Sequence, residues 1–509
     1  MKLKTLKLKN FRSYKEEVSI DFDDLTTFVG KNDCGKSTIL EALDIFFNNG
    51  TGTVKLDKDD INKHAVAEND YEICISACFE DLPAKVILDA TNETSLKKEF
   101  LLNKNNQLEI IKKYPNAGKE KVFIRAIHPC NKECCDLLQK KDSELKKIVE
   151  KYNLECDDSR KNAFLREAIW NHFKDNLDLK DIEIDVTKGD TKSIWDNLQT
   201  YLPIYSLFQS DRKNSDGDSE VQDPLKEAVK QILSNDSIKS KLKEVSEEVT
   251  EVLKDVSVRT LEKLKEMNPT LANTLIPIIP DSESLKWADV FKSVSIASDE
   301  GIPVNKRGSG VKRLILLNFF RAEAEKRLSD TNAKSIIYAI EEPETSQHFQ
   351  HQKLLIKALK ELSQKNNTQV IITTHSATIV KELNFDNLRL VSNINGIKSV
   401  SKILENNLPY PSLNEVNYIA FDEITEEYHN ELYGFIELEN QLNNYKAGKT
   451  EIPYIRLKKD GSEQHESKIL SEYIRHQIHH PENTSNPKYT FEQLKESIET
   501  MRNFIQTLP

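Results

Sequence analysis

The sequence predicts an α/β protein in which a parallel sheet with flanking helices is joined to a mixed β lobe, interrupted by a helical insertion and followed by a helical C-terminal domain. Three segments predict it. The run 25–29 passes into Gly30-Lys31-Asn32-Asp33-Cys34-Gly35-Lys36-Ser37-Thr38 and then into the amphipathic stretch 39–47, which reads as a strand, a glycine loop and a helix in succession. Far downstream, Ile336-Ile337-Tyr338-Ala339-Ile340 and Val370-Ile371-Ile372-Thr373-Thr374 are the continuous apolar runs of strands buried on both faces of a parallel sheet.

Strands are also expected at 3–8 and 18–22 before the glycine loop, and at 71–79 and 121–127 after it. The loop fits G-x-x-x-x-G-K-[ST], so its backbone N–H groups and the helix N-terminus form a cradle for nucleotide phosphates. Within Gly30 to Thr38, Lys36 is placed to reach the β- and γ-phosphates of ATP, and the Ser37 hydroxyl to occupy one position on Mg²⁺. About 300 residues separate this loop from the next nucleotide-site motif, more than a minimal ATPase core uses there. Ile238, Leu242, Val245, Val249, Val252 and Val256 recur at steps of four and three, an apolar stripe along a helical arm. The polar segment 211–219 reads as a loop.

A chain of 509 residues exceeds one hydrophobic core, and roughly two to four domains are expected. Segments 1–130 and 291–400 are assigned to the ATPase head, 131–290 to a mainly helical insertion and 401–509 to the helical C-terminal domain. With 30% charged and 38% hydrophobic residues, no apolar run near the roughly 18 residues of a membrane span, and a start that reads as an edge strand, a cytoplasmic protein without membrane contact is expected. Seven cysteines fit a reducing compartment. Cys130, Cys134, Cys135 and Cys156, with His128 nearby, raise a zinc reading, but C-x₃-C-C is not a usual ligand spacing. The net charge of −11 does not attract nucleic acid, so DNA or RNA would need a local patch. Candidates are Lys112, Lys113, Lys119, Lys121 and Arg125, or Arg456, Lys458 and Lys459, and such clusters also serve as solvated faces.

The strand 336–340 ends in Glu341-Glu342-Pro343-Glu344. Successive side chains of a strand point to opposite faces, so Glu341 is assigned to the metal and Glu342 to orienting or deprotonating the attacking water. The second strand ends at His375-Ser376, where the crevice of an open parallel sheet lies and an imidazole can bond a γ-phosphate oxygen. Between the two halves sits Asn305-Lys306-Arg307-Gly308-Ser309-Gly310-Val311-Lys312-Arg313-Leu314, a Gly-Ser turn opening an amphipathic helix.

This turn resembles the signature of ABC-type ATPases, and the order of phosphate loop, signature, acidic strand, D-loop region at 345–348 and switch histidine follows theirs. The N-terminal KLKTLKLKNFRSYKE and the EEPE and THS endings are most similar to the overcoming-lysogenization-defect-like and RecF-like members, over about 1–80 and 295–390. The resemblance implies an ABC-type head in which Ser309 and Gly310 close over ATP held by another protomer, hence at least a homodimer. No glutamine can be placed for the loop that links the terminal phosphate to the insertion in these ATPases.

The overcoming-lysogenization-defect nucleases and the Gabija ATPase carry a C-terminal Toprim nuclease, which needs an Asp-x-Asp pair. No such pair follows Ser376, so a built-in Toprim domain is not expected. Helices are expected instead at 425–444 and 465–480, the second carrying Arg475 and His480 in an arrangement similar to the active motif of HEPN ribonucleases. The same residues also suit a helix C-terminus, where cations are favoured by the dipole. Domain order and length resemble the PtuA ATPases of Septu antiphage systems, which work with a separate HNH nuclease. The resemblance implies an ATP-driven switch subunit that controls a nuclease; the alternatives are a tRNA-cutting ribonuclease acting through its own tail and a RecF- or SMC-like DNA-repair ATPase.

Overall fold

In a computed structural model of the chain, residues 1–48, 52–89, 92–187, 191–209, 335–345, 349–394, 396–404, 412–458 and 461–508 are described, with helical pieces at 237–238, 240–245, 247–248 and 251. Ile238, Leu242 and Val245 of the arm stripe fall on those pieces. Val249, Val252 and Val256, the loop 211–219 and the signature turn with Ser309 and Gly310 lie outside the described residues.

The chain enters on β1 (Lys2–Lys9), β2 (Val18–Asp21) and β3 (Leu25–Val29), and α1 (Lys36–Asn48) follows the glycine loop. After the short α2 (Lys63–Ala67) come β4 (Glu72–Glu80), the hairpin β5 (Val86–Asp89) and β6 (Asn92–Thr94), β7 (Leu108–Pro115) and β8 (Lys121–Pro129). Then come α3 (Asp142–Lys151), α4 (Asn162–His172), β9 (Leu179–Asp185), α5 (Thr191–Leu198) and β10 (Ile204–Phe208). From residue 335 onward lie β11 (Ile336–Glu341), α6 (Phe349–Ser363), β12 (Thr368–Thr374), α7 (Ala377–Lys381), β13 (Leu388–Ile394) and β14 (Ile397–Lys402). The tail holds α8 (Leu413–Phe421), α9 (Glu426–Leu438), α10 (Leu442–Lys446), the hairpin β15 (Glu451–Leu457) and β16 (Glu463–Ile469), α11 (Leu470–His479) and α12 (Phe491–Ile505).

Two sheets of six strands organise the head. One is antiparallel, in the order β2-β1-β4-β7-β8-β9. The other, β10-β11-β12-β3-β13-β14, is parallel except for β14, which turns back on β13. Every residue of β3 is buried, as are the five apolar residues of β11, and such strands can stand only inside a covered sheet. The side chain of Gln369 at the start of β12 joins the sheets: it accepts from Leu3 N at 2.8 Å and donates to Leu3 O at 2.9 Å.

The structure moves two expected boundaries. The segment 131–290 was expected to be a mainly helical insertion, yet β9 extends the antiparallel sheet by pairing with β8, and β10 forms the edge of the parallel sheet beside β11. Residues 1–210 and 323–509 accordingly fold as one compact unit. The C-terminal segment is not purely helical either. The expected helix 465–480 is a strand up to Ile469 and a helix only from Leu470, and the expected helix 425–444 breaks between Leu438 and Leu442.

Three members of the basic cluster on the lobe are ion-paired where they stand. Lys113 pairs with Glu183 at 2.6 Å, Arg125 with Asp181 at 2.9 Å, and the buried Lys112 with Glu120 at 2.9 Å beneath the rings of Phe46 and Trp195. His128 binds the Phe100 carbonyl through Nδ1 at 3.0 Å, and burial pushes the Cys134 thiol up to about 11. Among the described residues no group of three or more His, Cys, Asp or Glu side chains is placed to hold a metal ion on its own. No described helix is long and apolar enough to cross a membrane.

The C-terminal core contains a buried polar chain. His429 Nε2 meets Ser497 Oγ at 3.0 Å, Ser497 donates to Ser471 at 2.7 Å, and Ser471 meets the Tyr445 hydroxyl at 2.7 Å. Burial pulls the His429 imidazole down from 6.5 to about 4. The unfolded chain therefore takes up this proton first, so the stabilisation by neutral His429 is complete above pH 6.5 and is lost as pH falls toward 4, by roughly 3 kcal/mol. Urea denaturation at pH 7 and pH 5 should show a steeper loss for the wild type than for His429→Gln; equal slopes would refute it.

Candidate functional site

The glycine loop is built to leave β3 sharply. Gly30 has φ +149°, and a Cβ there would stand 2.3 Å from the Val391 carbonyl of β13, so no side chain fits. Gly35, at φ +106°, lies under Tyr14, whose hydroxyl donates to the Gly35 carbonyl at 3.1 Å. Lys398 of β14 donates to the Asp33 carbonyl at 2.9 Å. Two other parts of the head thus fix the loop from outside.

Lys36 is 6% exposed, and its ammonium donates to the carbonyls of Gly30 at 2.7 Å and Lys31 at 2.8 Å. This holds the cation across its own loop, where the phosphates of a nucleotide would lie. Ser37 and Thr38 stand half-buried in the first turn of α1, Cys34 is buried, and Lys31, Asn32 and Asp33 are exposed.

The parallel sheet brings the other half alongside. β12 lies between β3 and β11, with Thr374 opposite Val29 and Glu341 opposite Thr373, so the carboxyl ends of the three strands are level. Glu342 departs from the strand with φ +42°, and its N–H donates to the Thr373 carbonyl at 3.0 Å. Its carboxylate lies 3.3 Å from His375 Nδ1 and accepts from the Thr345 hydroxyl at 3.4 Å. Glu341 is half-buried at the strand end. Glu342 and His375 thus stand side by side at the ends of neighbouring strands, while 346–348 of the D-loop region lies outside the described residues.

Four features were missed from sequence. Glu344, only 5% exposed, reaches across to the His375 turn. Gln209, at the carboxyl end of β10, donates to Glu41 of α1 at 3.2 Å, standing one strand beyond β11 where no glutamine had been assigned. A cleft of about 900 Å³ opens beside the loop, lined by Arg12, Tyr14, Asn62, His64, Asn393 and Lys398 among others, a size that suits a small ligand. Finally, Lys31 of the loop forms an ion pair with Asp422, which caps α8 in the left-handed conformation.

That cap opens a route into the C-terminal domain. The α8 helix packs on α7, directly after His375, with Asn417 donating to the Ala377 carbonyl at 3.4 Å. On the other side of α8, the fully buried Glu415 takes a bidentate pair from Arg502 of α12, at 3.1 and 2.6 Å.

Arg475 and His480 are held separately. The Arg475 guanidinium lies 4.3 Å over the Tyr433 ring and pairs with Glu437 at 3.1 Å, while the exposed His480 pairs with Glu482 at 3.1 Å. Both contacts are local to the tail.

Comparison with known proteins bears on the head as a whole. The profile of the AAA ATPase domain family AAA_15 matches residues 1–380. The chain belongs to that family. Within the AAA_15 family's span fall the glycine loop, the acidic strand and His375. An endonuclease GajA of Bacillus cereus (strain HuB5-5) is 26% identical over 79% of this chain and 62% of its own length. An ATP/GTP phosphatase of Helicobacter pylori is 23% identical over 75% of this chain and 87% of that protein, and an OLD nuclease of Thermus scotoductus is 27% identical over 30% of each. The chain thus spans about three-fifths of the GajA proteins it matches. An SMC head domain from Thermotoga maritima overlaps 79% of this chain and all of that one, at 14% identity and a TM-score of 0.34.

Proposed function

We propose that the chain binds Mg²⁺-ATP and hydrolyses it as the switch subunit of an antiphage system that controls a nuclease. One observation carries the reading: Lys36 and the Glu342–His375 pair converge at the level ends of β3, β11 and β12. Carboxylates and a half-buried hydroxyl beside a lysine-bearing loop suit a magnesium-bound polyphosphate. Residues 30–38 cradle the phosphates, Ser37 and Glu341 hold Mg²⁺, and His375 faces the terminal phosphate. In hydrolysis the water oxygen bonds to the terminal phosphorus as the bond to the bridging oxygen breaks, ADP leaves, and Glu342 accepts the water proton. Gln209 is the candidate for sensing the terminal phosphate from β10.

The defence role is supported by the similarity to endonuclease GajA and the OLD nuclease, and by the Asp422 and Ala377 contacts that join both halves of the site to the tail. In this reading Ser309 and Gly310 of a second copy close the site, and a separate HNH-type nuclease does the cutting, as in PtuA systems. An adjacent gene for an HNH protein would support that partner. The tail-borne ribonuclease reading is weakened at Arg475, whose Nη2 pairs with Glu437 and whose guanidinium lies over Tyr433.

The test is Glu342→Gln. Losing the carboxylate that accepts the water proton should slow steady-state Mg²⁺-ATP hydrolysis by about 100-fold or more, while equilibrium nucleotide binding stays within about twofold. Hydrolysis at the wild-type rate would remove Glu342 from this role.

A further inference from the structure

Glu344 occupies a position that packing alone does not explain. It stands on the turn after β11, is 5% exposed, and turns one oxygen toward the neighbouring turn after β12. That oxygen accepts from the Thr374 hydroxyl at 2.7 Å and from the His375 backbone N–H at 3.0 Å, and lies 3.5 Å from His375 Nδ1. The other oxygen, Oε2, is buried with no hydrogen-bond partner among the described residues. A glutamine could make the same two hydrogen bonds without burying a charge, so holding the turn does not by itself call for a carboxylate.

The imidazole supplies the reason. His375 Nδ1 faces two carboxylate oxygens, Glu342 Oε1 at 3.3 Å and Glu344 Oε1 at 3.5 Å. Two acceptors around one ring nitrogen require that nitrogen to carry the proton, which fixes the ring's orientation and leaves Nε2 as the nitrogen turned away from the acids. Thr374 in turn accepts from the Ser376 N–H at 3.0 Å, so Glu344 is the hub of a closed turn.

We infer that Glu344 is a positioning residue for nucleotide hydrolysis: it locks the His375 ring against Glu342 so that Nε2 faces the terminal phosphate. The inference rests on the hydrolytic reading above. It acts through His375, and its loss should appear in turnover and not in binding.

The experiment compares Glu344→Gln, His375→Ala and the double variant as full chains, by steady-state Mg²⁺-ATP hydrolysis and by equilibrium binding of a non-hydrolysable ATP analogue. Glu344→Gln should lower kcat by about tenfold with KM and analogue binding within about twofold. The double variant should be no slower than His375→Ala alone, because a residue acting through the ring has nothing to position once the ring is gone. Wild-type turnover in Glu344→Gln, or losses that multiply in the double variant, would overturn the inference and leave the hydrolytic reading standing. A wild-type protein that hydrolyses no nucleotide would overturn both. Glu344→Asp, which keeps the charge but shortens the reach, gives the same double comparison if the glutamine variant does not fold.

Discussion

Lys36→Ala is expected to weaken nucleotide binding by about 100-fold or more, a loss of about 3 kcal/mol, because charge-assisted hydrogen bonds to two phosphates are worth about 1.5–3 kcal/mol each. The starting geometry makes the variant clean. Among the described residues, Lys36 bonds only its own loop, through the carbonyls of Gly30 and Lys31 and the Cys34 sulfur. The loop itself is braced by the Tyr14 and Lys398 hydrogen bonds and by the Gly30 approach to Val391, none of which uses Lys36. Its fold should therefore survive. Titration with a fluorescent ATP analogue, alongside a thermal melt, checks both halves, and wild-type affinity in a folded variant would show that this loop does not carry the phosphates.

What could be read from sequence was what local chemistry dictates. The glycine loop announces itself because Gly30 and Gly35 must adopt left-handed backbone at a fixed spacing from the lysine, and β11 and β12 announce themselves because strands with two covered faces must be apolar throughout. β9 was hidden because its sequence, LKDIEID, is that of a mostly exposed edge strand, and its partners are charges on β8 such as Arg125 that only the folded sheet reveals. The hairpin β15–β16 was hidden for a related reason. Most of its residues are exposed, so neither a period of two nor a period of 3.6 in hydrophobicity marks it.

The site divides in the same way. Lys36, Glu342 and His375 stand at recognisable distances from apolar strands, whereas the role of Glu344 depends on a contact across 30 residues with Thr374. Gln209 carries no local signature at all; its place is given by β10 joining the sheet next to β11. The link between Lys31 and Asp422 likewise depends on where α8 docks.

The largest stability loss is expected far from the nucleotide site, at Arg166. This side chain on α4 is 1% exposed and grips Glu99 with Nε to Oε2 at 2.7 Å and Nη2 to Oε1 at 3.0 Å. Glu99 also accepts from the Thr94 hydroxyl at 3.0 Å, so the pair ties the segment after β6 to the helix that packs over it. Both charges have left water, and the attraction between them offsets that desolvation only while both are present. Arg166→Ala leaves Glu99 buried without its cation and should cost about 3–5 kcal/mol, read as a lower urea midpoint. The double variant Arg166→Met/Glu99→Leu removes both charges and fills most of the space, and it should recover the greater part of the loss. If the double variant is as unstable as Arg166→Ala, shape and not the uncompensated carboxylate dominates. In either variant, hydrolysis per folded molecule should match the wild type, because Arg166, Glu99 and Thr94 bond one another away from the strands and helix that carry Lys36, Glu342 and His375.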